Sequence, residues 1–148
     1  MENGRRIAFD YGAVRIGVAM SDLSGLLASP QENFSSQSPE LFSEIAIFID
    51  EYQPLYIVVG NPRHLSGVAS AKSESVLEFI AGLKQITNVP IYLLDERLTT
   101  VSGARELREA GVSARAAKNH IDAAAAVTIL ESAMNQERLQ GAPAKDLA

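Results

Sequence analysis

Three acids stand where a carboxylate is out of place. Asp10 lies in the apolar run Ile7-Ala8-Phe9-Asp10-Tyr11, just before Gly12. Glu96 follows closely on Ile91–Leu94, within Leu94-Asp95-Glu96-Arg97-Leu98-Thr99-Thr100. Asp122 heads an alanine run, His120-Ile121-Asp122-Ala123-Ala124-Ala125-Ala126. Carboxylate oxygens suit hard divalent cations such as Mg²⁺ or Mn²⁺. Two such ions about 4 Å apart can stabilise both the attacking and the leaving oxygen of a phosphoryl displacement. The chemistry would then be phosphodiester hydrolysis, with no need for histidine or cysteine. A single Mg²⁺ holding a nucleotide would use the same acids, so their types alone leave the reaction open.

Each acid also has a plainer reading. Asp10 could be a turn-former that accepts backbone amides ahead of a hairpin. Glu96 could pair with Arg97 or cap a helix near Thr100, and Asp95 is a rival for its role. Asp122 could complement the dipole at a helix start. Jointly, the three would lie at two strand ends and one helix start around a single sheet. The carboxyl ends of parallel strands are where open α/β sheets hold ligands.

The elements that must position these acids follow from patterning. Arg6–Tyr11 and Ile16–Met20 are β-leaning runs separated by Gly12-Ala13-Val14-Arg15, which is hairpin spacing. Leu26–Phe34 gives a third strand, confined to an edge or shortened by Pro30. Ser38-Pro39-Glu40 reads as a helix start, with Ser38 as N-cap and Leu41, Ile45, Phe48 and Ile49 along one face. Pro54 ends that helix. Leu55–Val59 is apolar throughout, as in a strand buried on both faces. A helix is expected from Ser70 to Ile86, a strand over Val89–Leu94, and a helix from Thr100 to Ala110 closed by Gly111. Ala114–Gln140 reads as mostly helix, with a break near Asn119-His120. Three meandering strands followed by crossover units give an α/β fold: an RNase H-like mixed five-stranded sheet with helices on both faces. Residues 1–148 form one domain in this reading, with a core over about 5–140 and a frayed tail over 141–148.

Composition narrows the function classes. Apolar residues make up 47% and charged residues 21% of the 148, ordinary for a globular chain. There is no cysteine, which removes disulfides, thiolate metal sites and cysteine nucleophiles. No stretch reaches the roughly 20 apolar residues that span a bilayer, and no secretory h-region follows Met1. A cytoplasmic protein with no membrane partner is expected. The net charge of −5 is unusual for a nucleic-acid binder. Its distribution softens that objection. Residues 97–120 carry Arg97, Arg105, Arg108, Arg115 and Lys118 against Glu106 and Glu109, a local +3 within a chain otherwise at −8. Such a segment could hold phosphates near a metal site, or be a solvated helix face.

These residues also resemble a known family. Ile7-Ala8-Phe9-Asp10-Tyr11-Gly12-Ala13-Val14-Arg15-Ile16-Gly17-Val18-Ala19 resembles the opening of the pre-16S ribosomal RNA nucleases, also called YqgF-type or Holliday-junction-resolvase-like proteins. Val58-Val59-Gly60-Asn61-Pro62 resembles their second motif. Asp95-Glu96-Arg97-Leu98-Thr99-Thr100 is similar to the third and most distinctive. Lys118-Asn119-His120-Ile121-Asp122 with the alanines that follow is similar to the last. The resemblance runs in family order from about Arg5 to Met134. It implies a metal-dependent nuclease of the cytoplasm that processes the 5′ end of precursor 16S rRNA. It implies Asp10, Glu96 and Asp122 as catalytic, metal-holding acids. Arg15, Arg97, Arg115 and Lys118 are the candidates for contacting structured RNA.

Two positions depart from the family pattern. Asn61 stands where Leu is common, and Ser66-Gly67 where Gly usually follows Asp. The strand ending at Gly60 brings no carboxylate, unlike the junction resolvases, so Glu96 must take that place. Branched DNA is therefore the second substrate candidate. A non-catalytic RNA- or protein-binding adaptor is the alternative function. Asp10-Tyr11-Gly12 before a hairpin also resembles the phosphate turn of actin-like ATPases, but those need two such domains.

Overall fold

The computed structural model describes residues 2–61, 71–95, 114–144 and 148, and the side chains of 2–60, 74–95, 124–144 and 148. Five strands and three helices are described: β1 (Ile7–Tyr11), β2 (Arg15–Ser21), β3 (Ala28–Ser35), α1 (Leu41–Tyr52), β4 (Ile57–Asn61), α2 (Ala71–Ile86), β5 (Ile91–Asp95) and α3 (Ala114–Gln140). The strands form one sheet in the order β3-β2-β1-β4-β5. The meander β1–β2–β3 is antiparallel, while β1, β4 and β5 run parallel. The mixed sheet is the one its sequence predicts, with the first strand central.

Strand alternation sorts the core into two layers. Ile7, Phe9, Ile16, Val18, Ile57, Val59 and Ile91 pack with Leu41, Ile45 and Ile49 of α1 and Val76, Phe79, Ile80 and Leu83 of α2. Ala8, Ala19, Val58 and Leu94 face the other way, against Ala126, Ile129, Leu130, Ala133 and Met134 of α3. Helices therefore cover both faces. The small Ala8 and Ala19 lie on the α3 side, where they let a helix approach closely.

Several boundaries differ from the sequence reading. Ser38-Pro39-Glu40 forms a turn before α1 rather than its first turn. Glu40 holds the cap position at φ −100° and ψ 13°, with no side-chain cap bond. Ser38 Oγ instead accepts the Glu40 amide at 3.2 Å. The polar hydroxyl competes for the backbone locally and delays the helix. β4 and β5 each begin two residues later than the apolar runs suggest. α3 is continuous in its backbone through Asn119-His120. It contains no Pro or Gly, and a helix-propensity deficit of about 0.7 kcal/mol or less per residue does not break a long helix. Within the segment expected to fray, Ala144 is buried and the Ala148 amide donates to the Ile91 carbonyl at 2.8 Å; residues 145–147 lie outside the described residues. The helix expected at Thr100–Ala110 lies outside the described residues. Among the described residues, no helix is long and apolar enough to cross a membrane.

Candidate active site at the end of the central strand

Asp10 is the penultimate residue of β1 and half-buried. Alternation with Phe9 and Ala8 puts it on the α3 face. Its partner across the hairpin is Gly17, so no side chain stands directly opposite it. The hairpin below it is tight. A Cβ on Gly12 would lie 2.6 Å from the Arg15 carbonyl oxygen, so only glycine fits. Ser36 Oγ donates to the Gly12 carbonyl and ties the hairpin to the end of β3.

Parallel pairing brings β1, β4 and β5 to one sheet end. Ala8 pairs with Val58 and Val58 with Tyr92; Gly60 then pairs with Leu94, and Asn61 with Asp95. Asp10 therefore stands level with Gly60 and Leu94 and shares their face. β5 lies two strand spacings from β1, about 10 Å. Asp95 is one residue past Leu94, so the pleat turns it to the opposite face from Asp10. The register thus weakens Asp95 as the partner acid. Glu96, the next residue, lies outside the described residues, as does Arg97.

The direction of α3 across this face is set at the other end of β1. Arg6, two residues before Ala8, is fully buried. Its Nε and Nη2 donate to Glu137 Oε1 and Oε2 at 3.1 and 3.0 Å. Tyr56 Oη donates to the same Oε1 at 2.9 Å. Burial first, then the Glu137 hydrogen bond and charge, push the Tyr56 phenol far above its ordinary pKa. Arg138 Nη1 donates to the Gly25 carbonyl in the β2–β3 turn at 3.0 Å. The last turns of α3 are thus fastened over the start of β1. Ala126 packs in the cluster that holds Ala8 and Leu94. Asp122 belongs to the α3 backbone one turn earlier, and its side chain lies outside the described residues.

Of the other candidates, Arg15 opens β2, pairs with Ser35 and is half-buried. Alternation with the core residue Ile16 puts it on the Asp10 face. The side chains of Arg115 and Lys118 lie outside the described residues. Asn61 closes β4, with its side chain equally outside. The sequence reading missed the set Arg6, Glu137 and Tyr56. A faint signal was available: Arg6 keeps the parity of Ala8 and Asp10, so a charge there had to enter the α3 layer.

This sheet order, with helices on both faces, is that of the RNase H-like fold. The chain belongs to the RuvX family, whose model, described as Holliday junction resolvase, matches residues 4–136. A relative from Streptomyces coelicolor, named "Putative pre-16S rRNA nuclease", is 41% identical over 145 residues, covering 97% of this chain and 87% of the relative. One of the same name from Mycolicibacterium smegmatis is 44% identical over 140 residues, covering 91% and 82%. The solved structure of Thermus thermophilus RuvC in complex with Holliday junction substrate superposes with a TM-score of 0.59 at 14% identity, covering 94% of this chain and 98% of that one. At that identity the likeness speaks for the fold.

Proposed function

We propose that this nuclease hydrolyses phosphodiester bonds of precursor 16S rRNA, with Asp10, Glu96 and Asp122 as the acids that hold Mg²⁺ or Mn²⁺. One observation carries the proposal. The α3 face of β1 reads Arg6-Ala8-Asp10, and Arg6 is bound by Glu137 near the end of α3. Ala126, earlier in α3, packs in the cluster of Ala8 and Leu94; a helix continuing along that line would carry Asp122 toward the Asp10 end of the strand. If the alternation of β5 carries one residue past Asp95, Glu96 joins the face of Leu94 and Asp10. Three carboxylates from two strand ends and one helix would then meet.

Each acid would contribute oxygen ligands, and the bound metal would supply charge stabilisation to a phosphoryl displacement. Asp10 would hold its ligand oxygen from a rigid central strand, opposite the open position left by Gly17. Arg15, Arg97, Arg115 and Lys118 would bind and orient the phosphate backbone. Named relatives at about 40% identity over nearly the whole chain support rRNA as substrate. The family description supports a second reading, in which the substrate is a branched DNA junction.

The test is a titration of Mn²⁺ or Mg²⁺ into the purified protein, with a precursor rRNA fragment and a four-way DNA junction as parallel substrates. Metal-dependent cleavage of the RNA, with the junction cut slowly or not at all, is the expected result. The reverse preference would establish the second reading. Binding without cleavage of either would make the protein an adaptor.

A further inference from the structure

On the side of the sheet away from Asp10, a groove of about 490 Å³ runs between β3 and α1. Its apolar wall is Phe34, Phe48 and Tyr52, with ring centroids 5.7 Å apart for the first pair and 5.1 Å for the second. Ile47 lines it too and is 69% exposed, which extends the apolar surface beyond the aromatic wall. Asn33 also lines the groove, and its buried Oδ1 has no hydrogen-bond partner among the described residues. Such an atom costs free energy until a donor reaches it.

The groove borders a free strand edge. β3 ends the sheet, and among the described residues no strand pairs with its outer side. Pro30 lacks an amide hydrogen and blunts the first half of the edge. The groove lines up with the second half, Gln31–Phe34, where the β2–β3 register shifts between Ile16 and Val18. Bulges at sheet edges commonly re-aim side chains for recognition.

The charge is of one sign among the described residues. Glu32, Glu44 and Glu51 line the groove, and no described Lys or Arg does. Arg5, whose guanidinium lies 5.9 Å from the Tyr52 ring centroid, is not a lining residue and donates to the Ser21 carbonyl. Three carboxylates repel a phosphate backbone, so the groove is no extension of the nucleic-acid path. They also disfavour a second copy, since a twofold pairing of β3 edges would bring like charges together.

We infer that this groove binds an extended segment of a protein partner, alternating apolar residues with Lys or Arg, that adds to the β3 edge as another strand. The partner's amides meet the outer edge of Gln31–Phe34. Its apolar side chains cover Ile47 and the aromatic wall, and its cations face the three glutamates.

The test uses a capped peptide as long as β3, 8 residues, alternating Val and Lys. Its counterpart alternates Val and Glu. Both are titrated into the full-length protein by fluorescence polarisation, with amide shift mapping by NMR. The lysine peptide is expected to bind at least about tenfold more tightly, to weaken with salt, and to shift amides of β3 and α1. E44K/E51K should weaken it by about tenfold and leave RNA cleavage unchanged. Both glutamates are exposed, and a circular dichroism melt checks the variant's fold. Should that variant fail to fold, the peptide comparison and salt titration on the wild type decide alone. Equal binding of both peptides, shifts mapping elsewhere, or self-association that E44K/E51K abolishes would each overturn the inference.

Discussion

Arg6 and Glu137, near opposite ends of the chain, meet in a two-pronged ion pair with the guanidinium fully buried and the carboxylate 11% exposed. The remaining guanidinium hydrogens go to backbone: Nη2 also donates to the Glu2 carbonyl at 2.6 Å, and Nη1 to the Gly4 carbonyl at 2.5 Å. Removing the carboxylate of such a pair leaves a fully buried guanidinium without its counter-charge. Glu137→Ala should destabilise the fold by about 3–5 kcal/mol. Glu137→Gln should cost less, because the amide keeps one acceptor for Arg6 Nε or Tyr56. Urea unfolding of the three proteins checks the order. A loss under about 1 kcal/mol for the alanine variant would mean that water or another acid replaces Glu137.

The Tyr56 phenol gives the same network an alkaline limit. Burial, with the Glu137 hydrogen bond and charge behind it, raises its pKa above the ordinary 10.0. Below pH 10 both folded and unfolded states keep the proton, and the contribution is fully present. As pH climbs past that value the unfolded chain ionises first, so stability falls. The slope from this one group is at most about 1.4 kcal/mol per pH unit. Tyr56→Phe should be less stable at neutral pH, having lost its bond to Glu137, but should lose less on further alkalisation. Thermal melts from pH 8 to 11 compare the two. Parallel curves would show that Tyr56 ionises freely in the fold.

Much of this was legible because local signals agreed. The run Arg6–Tyr11 is bounded by Gly12, and β1 ends where the pattern does and begins one residue inside it, at Ile7. The central place of β1 follows from a hairpin on one side and a crossover on the other. Other features were hidden for identifiable reasons. Leu55 and Val89 look like strand residues, but apolar character does not mark where ladder pairing starts. The Leu55 amide bonds the Arg5 carbonyl before β4 begins, and the Ile57 amide, first in β4, bonds the Pro90 carbonyl one residue before β5. The Arg6–Glu137 pair was hidden because the acid lies far along the chain, on a helix whose approach angle no local pattern encodes. For the candidate site, the sequence picked Asp10 by its misfit, and the register adds that Asp95 faces away from it.

Gly12→Ala should strain the hairpin beneath Asp10. The added Cβ would meet the Arg15 carbonyl oxygen at 2.6 Å, and that atom is backbone, which cannot rotate aside. A cost of about 1–3 kcal/mol is expected, as for other forced overpacking. Cleavage should drop further than stability does, because the shifted strand end carries Asp10 and Arg15. Denaturant midpoints and cleavage rates, measured well below the melting temperature, separate the two. Full activity at reduced stability would dissociate the hairpin geometry from the site.

The basic segment predicts a different kind of loss. Hypothesis: Arg115→Ala and Lys118→Ala each free one phosphate and remove no metal ligand. RNA affinity should weaken, and the slope of log K against log salt should flatten by about 0.7 for each phosphate freed on single strands, or about 0.9 on duplex. Metal affinity should stay the same. Binding isotherms at several salt concentrations give the slope directly. Unchanged slopes would make this stretch of α3 a solvated helix face and move the nucleic-acid path elsewhere.

Asp10→Asn separates function from folding most sharply. Hypothesis: Asp10, Glu96 and Asp122 share a metal site, so without metal three carboxylates repel one another, and removing one charge relieves the repulsion. The variant should lose metal-dependent cleavage by at least about 10³-fold, equivalent to about 4 kcal/mol of transition-state stabilisation. Its melting temperature without metal should equal or exceed that of the wild type, a trade-off common at functional sites. Added Mn²⁺ should raise the wild-type melting temperature and leave the variant's unmoved. The swap is sterically mild, since Asn has nearly the shape of Asp and the residue paired with it on β2 is Gly17. If Asp10→Asn unfolds the domain instead, Asp10 is the turn-forming acid of its hairpin. If the variant still cleaves, the metal is held without it.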